Sequence, residues 1–226
     1  TIQKDLSLGF SSQTPAAGYK NYKGKGNFMG SINLSNSGLV GKGELSYMTA
    51  TLGSDSILYF PDQTNLLAKT IEMKEQKGLI EYPQLSADSA LVEWRPYSDT
   101  MLLASTKNNP FNMFNQGTKM HGLLILENNG LSGDGFLDFE EAKITSNQMR
   151  FKSTTMKADT SSMEIKGLGN KLTFKTPNVS CFMNFETKIG DFKSNEKDIS
   201  TNFAYNQYKG EINEFRWDIN KKILTF

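Results

Sequence analysis

The stretch Asn128-Asn-Gly-Leu-Ser-Gly-Asp-Gly-Phe-Leu-Asp-Phe-Glu-Glu141 carries the residues in this chain that look most like a metal site. Asp134 precedes Gly135, and Asp138 and Glu141 follow, as in the closing half of a calcium loop, where carboxylates surround a hard cation and glycine makes the sharp turn. Counting back from Gly135 as the sixth position places Gly130, not an acid, at the first ligand position, and the Gly122-Leu-Leu-Ile-Leu run before it does not read as a helix. No calcium is expected, and the stretch reads as a turn.

Other residues with chemical potential also have plainer roles open to them. Asp88 with Glu93, and Asp159 with Glu164, follow a shared Ala-Asp-Ser/Thr motif. Two carboxylates serve glycoside hydrolysis when about 5–9 Å apart, but an Asp repeated at strand ends is more simply a turn residue that bonds its own backbone. The one histidine, His121, and the one cysteine, Cys181, are too few for a zinc site of Cys and His ligands. Any nucleophile system would have to run through His121 alone. Cys181 alternates with Val179, Met183 and Phe185 and reads as a small core residue. Trp94 continues the apolar Ala90-Val92 face, whereas Trp217, among Glu214, Arg216 and Asp218, is the candidate surface contact for a ligand such as a sugar. Gly24-Lys-Gly26 and Gly41-Lys-Gly43 are not phosphate loops, because no Gly-Lys-Ser/Thr opens a helix. No catalytic, cofactor-binding or metal residue is assigned.

The totals narrow the classes. With 25 Lys+Arg against 24 Asp+Glu the net charge is +1, which gives no global pull toward nucleic acid or an anionic membrane. The longest aliphatic run, residues 123–126, is far short of the roughly 20 residues that span a bilayer. The 226 residues open on Thr1, so the sequence reads as a mature or excised piece, with any targeting signal out of view.

The elements that would position these groups emerge from a repeat. Residues 30–59 align without a gap on 122–151, and ten of the 30 positions are identical: Gly30, Leu34, Asn36, Gly38, Leu39, Gly41, Gly43, Leu45, Ala50 and Ser54 in the first copy. Chance would give roughly two. In the first copy Lys42, Ser46 and Thr49 stand where Asp134, Asp138 and Glu141 stand in the second, so the backbone pattern recurs and the carboxylates do not. The echo returns as Phe114-Asn-Gln116 and Tyr205-Asn-Gln207. These spacings divide the chain into an N-terminal strand region (1–29), repeat 1 (30–121), repeat 2 (122–213) and the start of a third copy (214–226).

Within each copy apolar residues alternate, as in Leu39, Gly41, Gly43, Leu45 and Tyr47, which predicts half-buried strands. Asn36-Ser37-Gly38 and Asn128-Asn129-Gly130 predict tight reversals. Gly38, Gly41, Gly43, Gly130, Gly133 and Gly135 are assigned as structural turn glycines. The inward pairs Gly41/Gly43 and Gly133/Gly135 mark a bulge, a corner or a close backbone approach beneath large side chains. Residues 65–77 have helix-like composition, but their counterpart at 157–169 alternates, which predicts strand. The fold is therefore expected to be all-β, an elongated solenoid or open β-roll of tandem repeats of about 92 residues, with two tandem β-sandwiches as the alternative.

The Gly-Leu-x-Gly-x-Gly-x-Leu runs at 38–45 and 130–137, Ala158-Asp-Thr160, the stretch 184–195 and the stretch 205–224 together resemble very large, repeat-bearing exported proteins of Bacteroidota. The resemblance implies a piece of a long envelope protein, exported to the periplasm or outer-membrane surface of a Gram-negative bacterium, and brings no catalytic residues with it. A fainter likeness, in pattern only, is to the OstA-type β-jelly-rolls that carry lipopolysaccharide across the periplasm.

The functional expectation is a non-enzymatic structural, adhesive or interaction module. A lipid or lipopolysaccharide carrier is the second reading and a polysaccharide-active β-helix enzyme the third. Expected partners are other repeats of the parent chain, with an envelope protein, glycan or lipid as further candidates. No cofactor, metal, nucleic acid or membrane span is expected.

Overall fold

The structure, a computed structural model, describes residues 10–36, 38–115, 117–197 and 200–226. The parts of the sequence reading that fall on residues 1–9, Ser37 and Gln116 lie outside the described residues. The protein is all-β; the described residues form 21 strands in one antiparallel sheet, and no helix among them is long and apolar enough to cross a membrane.

The sheet is a meander. β1 (Phe10–Gln13) and β2 (Tyr19–Asn21) lie along the two halves of β3 (Gly26–Ser35), which pairs with β4 (Gly38–Tyr47), which pairs with β5 (Ala50–Tyr59). Beside β5 run β6 (Thr64–Ala68) and β7 (Thr70–Met73), next to these β9 (Ala90–Arg95) and β8 (Leu85–Ala87), then β10 (Thr100–Ser105) and β11 (Phe111–Met113). The long strands resume with β12 (Thr118–Glu127), β13 (Gly130–Phe139), β14 (Ala142–Phe151), β15 (Thr155–Lys166) and β16 (Leu172–Asn184). β17 (Ile189–Ser194), β18 (Ser200–Phe203), β19 (Tyr208–Glu211), β20 (Glu214–Asp218) and β21 (Ile223–Thr225) complete the sheet. Of residues 65–77, ambiguous in composition, 65–68 and 70–73 are strand, in β6 and β7, and 74–77 lie beyond β7.

The bounds of β3, β4 and β5 each stand 92 residues before those of β12, β13 and β14. Residues 121 and 122 lie in the middle of β12, so a single sheet runs through that point. Gly38 (φ 94°) and Gly130 (φ 145°) supply the positive φ at the reversals. Gly41, Gly43, Gly133 and Gly135 correct the sequence reading: they are interior residues of β4 and β13, not turn residues, as is most of the stretch Asn128 to Glu141. The reversal after β13 falls instead at Glu140 (φ 50°), and its counterpart after β4 at Met48 (φ 51°), where neither side chain signals a turn.

A long antiparallel sheet with one apolar face must cover that face, and this one folds over itself across the middles of its strands. The pairing partners divide there: residues 50–53 of β5 face β7, and residues 57–59 face β6. Tyr47, at the end of β4, contacts the Trp94 ring of β9 at 5.0 Å although β5 and β6 lie between them in the sheet. Phe139 of β13 reaches Trp217 of β20 at 5.5 Å past four intervening strands. Lateral neighbours that far apart do not touch at a strand spacing of about 4.8 Å, so these rings meet across the fold. The inward side chains form one continuous cluster from Phe28 to Ile219, with Trp94, Leu103, Leu124 and Met163 fully buried.

Candidate functional site

The fold line is the most specialised place in the molecule. Bending each strand at its middle breaks ladder hydrogen bonds, and a buried backbone group without a partner costs about 1–3 kcal/mol. Short hydroxyl side chains repair the loss. The Gly30 N–H donates to Thr14 Oγ1 (3.0 Å), and the Gly122 N–H donates to Ser105 Oγ (2.8 Å). Ser54 donates to the Leu67 carbonyl at 2.8 Å, Ser146 to that of Thr160 at 2.7 Å and Ser161 to that of Val179 at 2.8 Å.

The glycines sit on the same line. Gly30 faces Gly43, and Gly122 faces Gly135, in cross-strand pairs with φ between 127° and 150°. A Cβ on Gly43 or Gly135 would collide with the carbonyl of Met29 or His121. The neighbouring Gly41 and Gly133 lie under rings, with a Cβ on Gly41 meeting Phe28 and Tyr59 at 3.0 Å and one on Gly133 meeting Phe151 at 2.8 Å. The inward pairs therefore serve two purposes: one glycine admits an aromatic side chain, the next the close backbone of the paired strand, β3 or β12, beside the register shift toward β5 or β14.

At the open edge of the fold, aromatic residues join the two halves. The Tyr22 hydroxyl lies 2.8 Å and 2.7 Å from the carbonyls of Phe60 and Gln63, and its ring meets Trp94 edge-on at 5.2 Å. Tyr82, on segment 74–84, donates to the Glu127 carbonyl (2.6 Å), while Glu81 accepts from Ser153 (2.6 Å). Phe114 stacks on Phe185 at 4.2 Å. Sequence inspection missed Tyr22 and Tyr82; Phe114 was visible only through its echo.

The residues whose types could do chemistry are dispersed. Asp138 lies between Lys119 and Lys143 in register, 3.6 Å from His121 Nε2, and Glu141 pairs with Lys222. Asp134 is four residues from Asp138 along β13, about 13 Å in a strand. Among the described residues no group of three His, Cys, Asp or Glu side chains is arranged to hold a metal. His121 stacks flat on Phe136. Arg150, then Lys157, hold the Asp159 carboxyl below its usual range, and Lys175 does the same for Glu164. Cys181 is fully buried, and burial pushes its thiol well above the ordinary range, away from the reactive thiolate. Trp94 is core, as its alternation predicts. Trp217 is a correction: it is 4% exposed, because it alternates with Phe215 on the inward face while its charged neighbours point outward. It is not a surface contact.

No family model, curated protein or solved structure matches the chain.

Proposed function

We propose that the chain is a non-enzymatic structural or adhesive module of a large cell-envelope protein, exported to the periplasm or outer-membrane surface of a Gram-negative bacterium. In this reading it is an elongated β-roll built from tandem repeats of about 92 residues, and its first partners are further units of the same kind. The observation that carries the reading is the series Tyr22, Phe114 and Tyr205. The first two close the edge of the fold against strand ends that follow them in the chain. Tyr205, in the corresponding position 91 residues after Phe114, is 72% exposed and offers the same surface to a further unit.

Surface area supports an extended body. The accessible surface is 12687 Å², about a fifth above the roughly 10,300 Å² of a compact globule of this mass. The burial of the inward Leu, Phe and Met residues weighs against the carrier reading, which needs them open to an acyl chain.

Small-angle scattering tests the shape. Fifteen successive strand positions at the usual spacing give a length of about 70 Å and a radius of gyration of about 21 Å, against about 17 Å for a compact domain. A value near 17 Å at infinite dilution would sink the elongated reading.

A further inference from the structure

The outward face of the sheet across β5, β6, β9, β10 and β12 is aliphatic without any demand from the fold. Leu67 lies opposite Leu91, Leu91 opposite Ala104, and Ala104 opposite Leu123, which makes an unbroken row across four strands. Leu58 and Leu102 stand in the next row, and together these residues line a groove of about 480 Å³. Leu58, Leu67 and Leu91 are 38%, 51% and 58% exposed. The one carboxylate in the groove, Glu93, is already paired with Arg95.

The matching face on β14, β15, β16, β17 and β20 serves as an internal control. Its registers correspond: Ser180 opposite Lys193 matches Leu91 opposite Ala104, and Asp191 opposite Arg216 matches Leu102 opposite Ile125. There the outward side chains are mostly charged, with Arg150 and Lys157 paired to Asp159, Arg216 paired to Asp191, and Lys193 opposite Glu214, and Phe182 is an exposed apolar exception among them. The same backbone thus tolerates a solvated face, and the leucines are a separate property of the first half of the sheet. Contiguous exposed apolar surface of this kind marks interaction sites.

We infer that this leucine face is the contact surface for a second copy of the chain, packed face to face about a two-fold axis. Contacts across such an axis are reciprocal, so the face must complement itself: an aliphatic face does, and the one carboxylate in the groove is already neutralised by Arg95. A β face is ordinarily covered by another sheet about 10 Å away, with side chains interdigitating, and Ala104 leaves a recess between Leu91 and Leu123 for a partner's leucine. The row holds no aromatic ring for a sugar and no cation for a phosphate. Five strands span about 24 Å, which together with flanking residues brings the total buried area near 1,000 Å², the lower bound for a specific interface. The dimer is therefore weak and reversible.

Sedimentation equilibrium between about 5 and 500 μM tests this. The wild type should show a monomer–dimer equilibrium within this range, as a weak interface at the low end of size would. Leu91→Lys should remain monomeric throughout with an unchanged circular dichroism spectrum and melting temperature, whereas Phe182→Lys on the charged face should dimerise like wild type. A wild type that stays monomeric throughout, or a dimer that survives Leu91→Lys, overturns the inference. So does flotation of the wild type, but not Leu91→Lys, with phosphatidylethanolamine–phosphatidylglycerol vesicles, which would assign the face to lipid. None of these outcomes depends on the repeat reading, which scattering tests separately.

Discussion

Gly122 and Gly135 face each other across β12 and β13 so closely that a Cβ on either would enter the other strand's backbone. Their φ angles of 127° and 144° exclude L side chains independently of the space. The pair allows two long strands to bend together without parting, and Gly30 and Gly43 repeat the arrangement.

Gly135→Val should therefore destabilise by about 3 kcal/mol, combining strain at an L-disfavoured φ with overpacking. Gly41→Ala has ordinary φ and meets only rings that can shift, so about 1 kcal/mol is expected. Urea midpoints compare the two, and equal losses would mean that the close approach of the β12 backbone has no special role.

Ser105→Ala should cost about 1–2 kcal/mol, because it leaves the Gly122 N–H in the fold line without its 2.8 Å acceptor. Ser105→Thr retains the oxygen and should recover most of the loss. Amide exchange at Gly122 provides a local readout: it should accelerate in the alanine variant and not in the threonine variant.

The strands were legible because one face is buried and period two is then enforced residue by residue, as in Leu39 to Tyr47. The folding of the sheet upon itself was not. Tyr47 and Trp94 meet through a contact 47 residues apart in sequence that no local pattern encodes. Trp217 was misread for a related reason: its charged neighbours 214, 216 and 218 occupy the opposite face of the strand, and composition alone does not separate the faces. The glycine pairs were seen as unusual, but only coordinates distinguish a glycine beneath a ring from one beneath a backbone.

Tyr22→Phe removes the hydroxyl that reaches Phe60, Gln63 and Thr64, and should cost about 1–2 kcal/mol. Tyr82→Phe loses its bond to Glu127 and should cost about 1 kcal/mol. The acceptors lie three strand positions apart, about 14 Å at the usual spacing, so the double variant should lose about the sum. A much smaller combined loss, measured by chemical denaturation, would show that the two closures act as one unit.

The buried tyrosines set an alkaline limit on stability. Burial, and then the nearby Asp99 carboxylate, push the Tyr47 hydroxyl up to about 12, and burial also raises Tyr22, Tyr59 and Tyr82. An unfolded chain ionises its tyrosines near pH 10. Below that pH both states hold the Tyr47 proton and its contribution is complete. Between pH 10 and about 12 the unfolded state releases the proton while the folded state retains it, so the unfolded state gains and stability falls as pH rises. Denaturant midpoints should accordingly be flat from pH 8 to about 9.5 and then decline. Tyr47→Phe has no proton to lose at this position and should decline less steeply over the same interval. An identical alkaline slope in that variant would show that Tyr47 ionises in the folded protein as readily as in the unfolded chain, and that the fold does not exclude water from the end of β4.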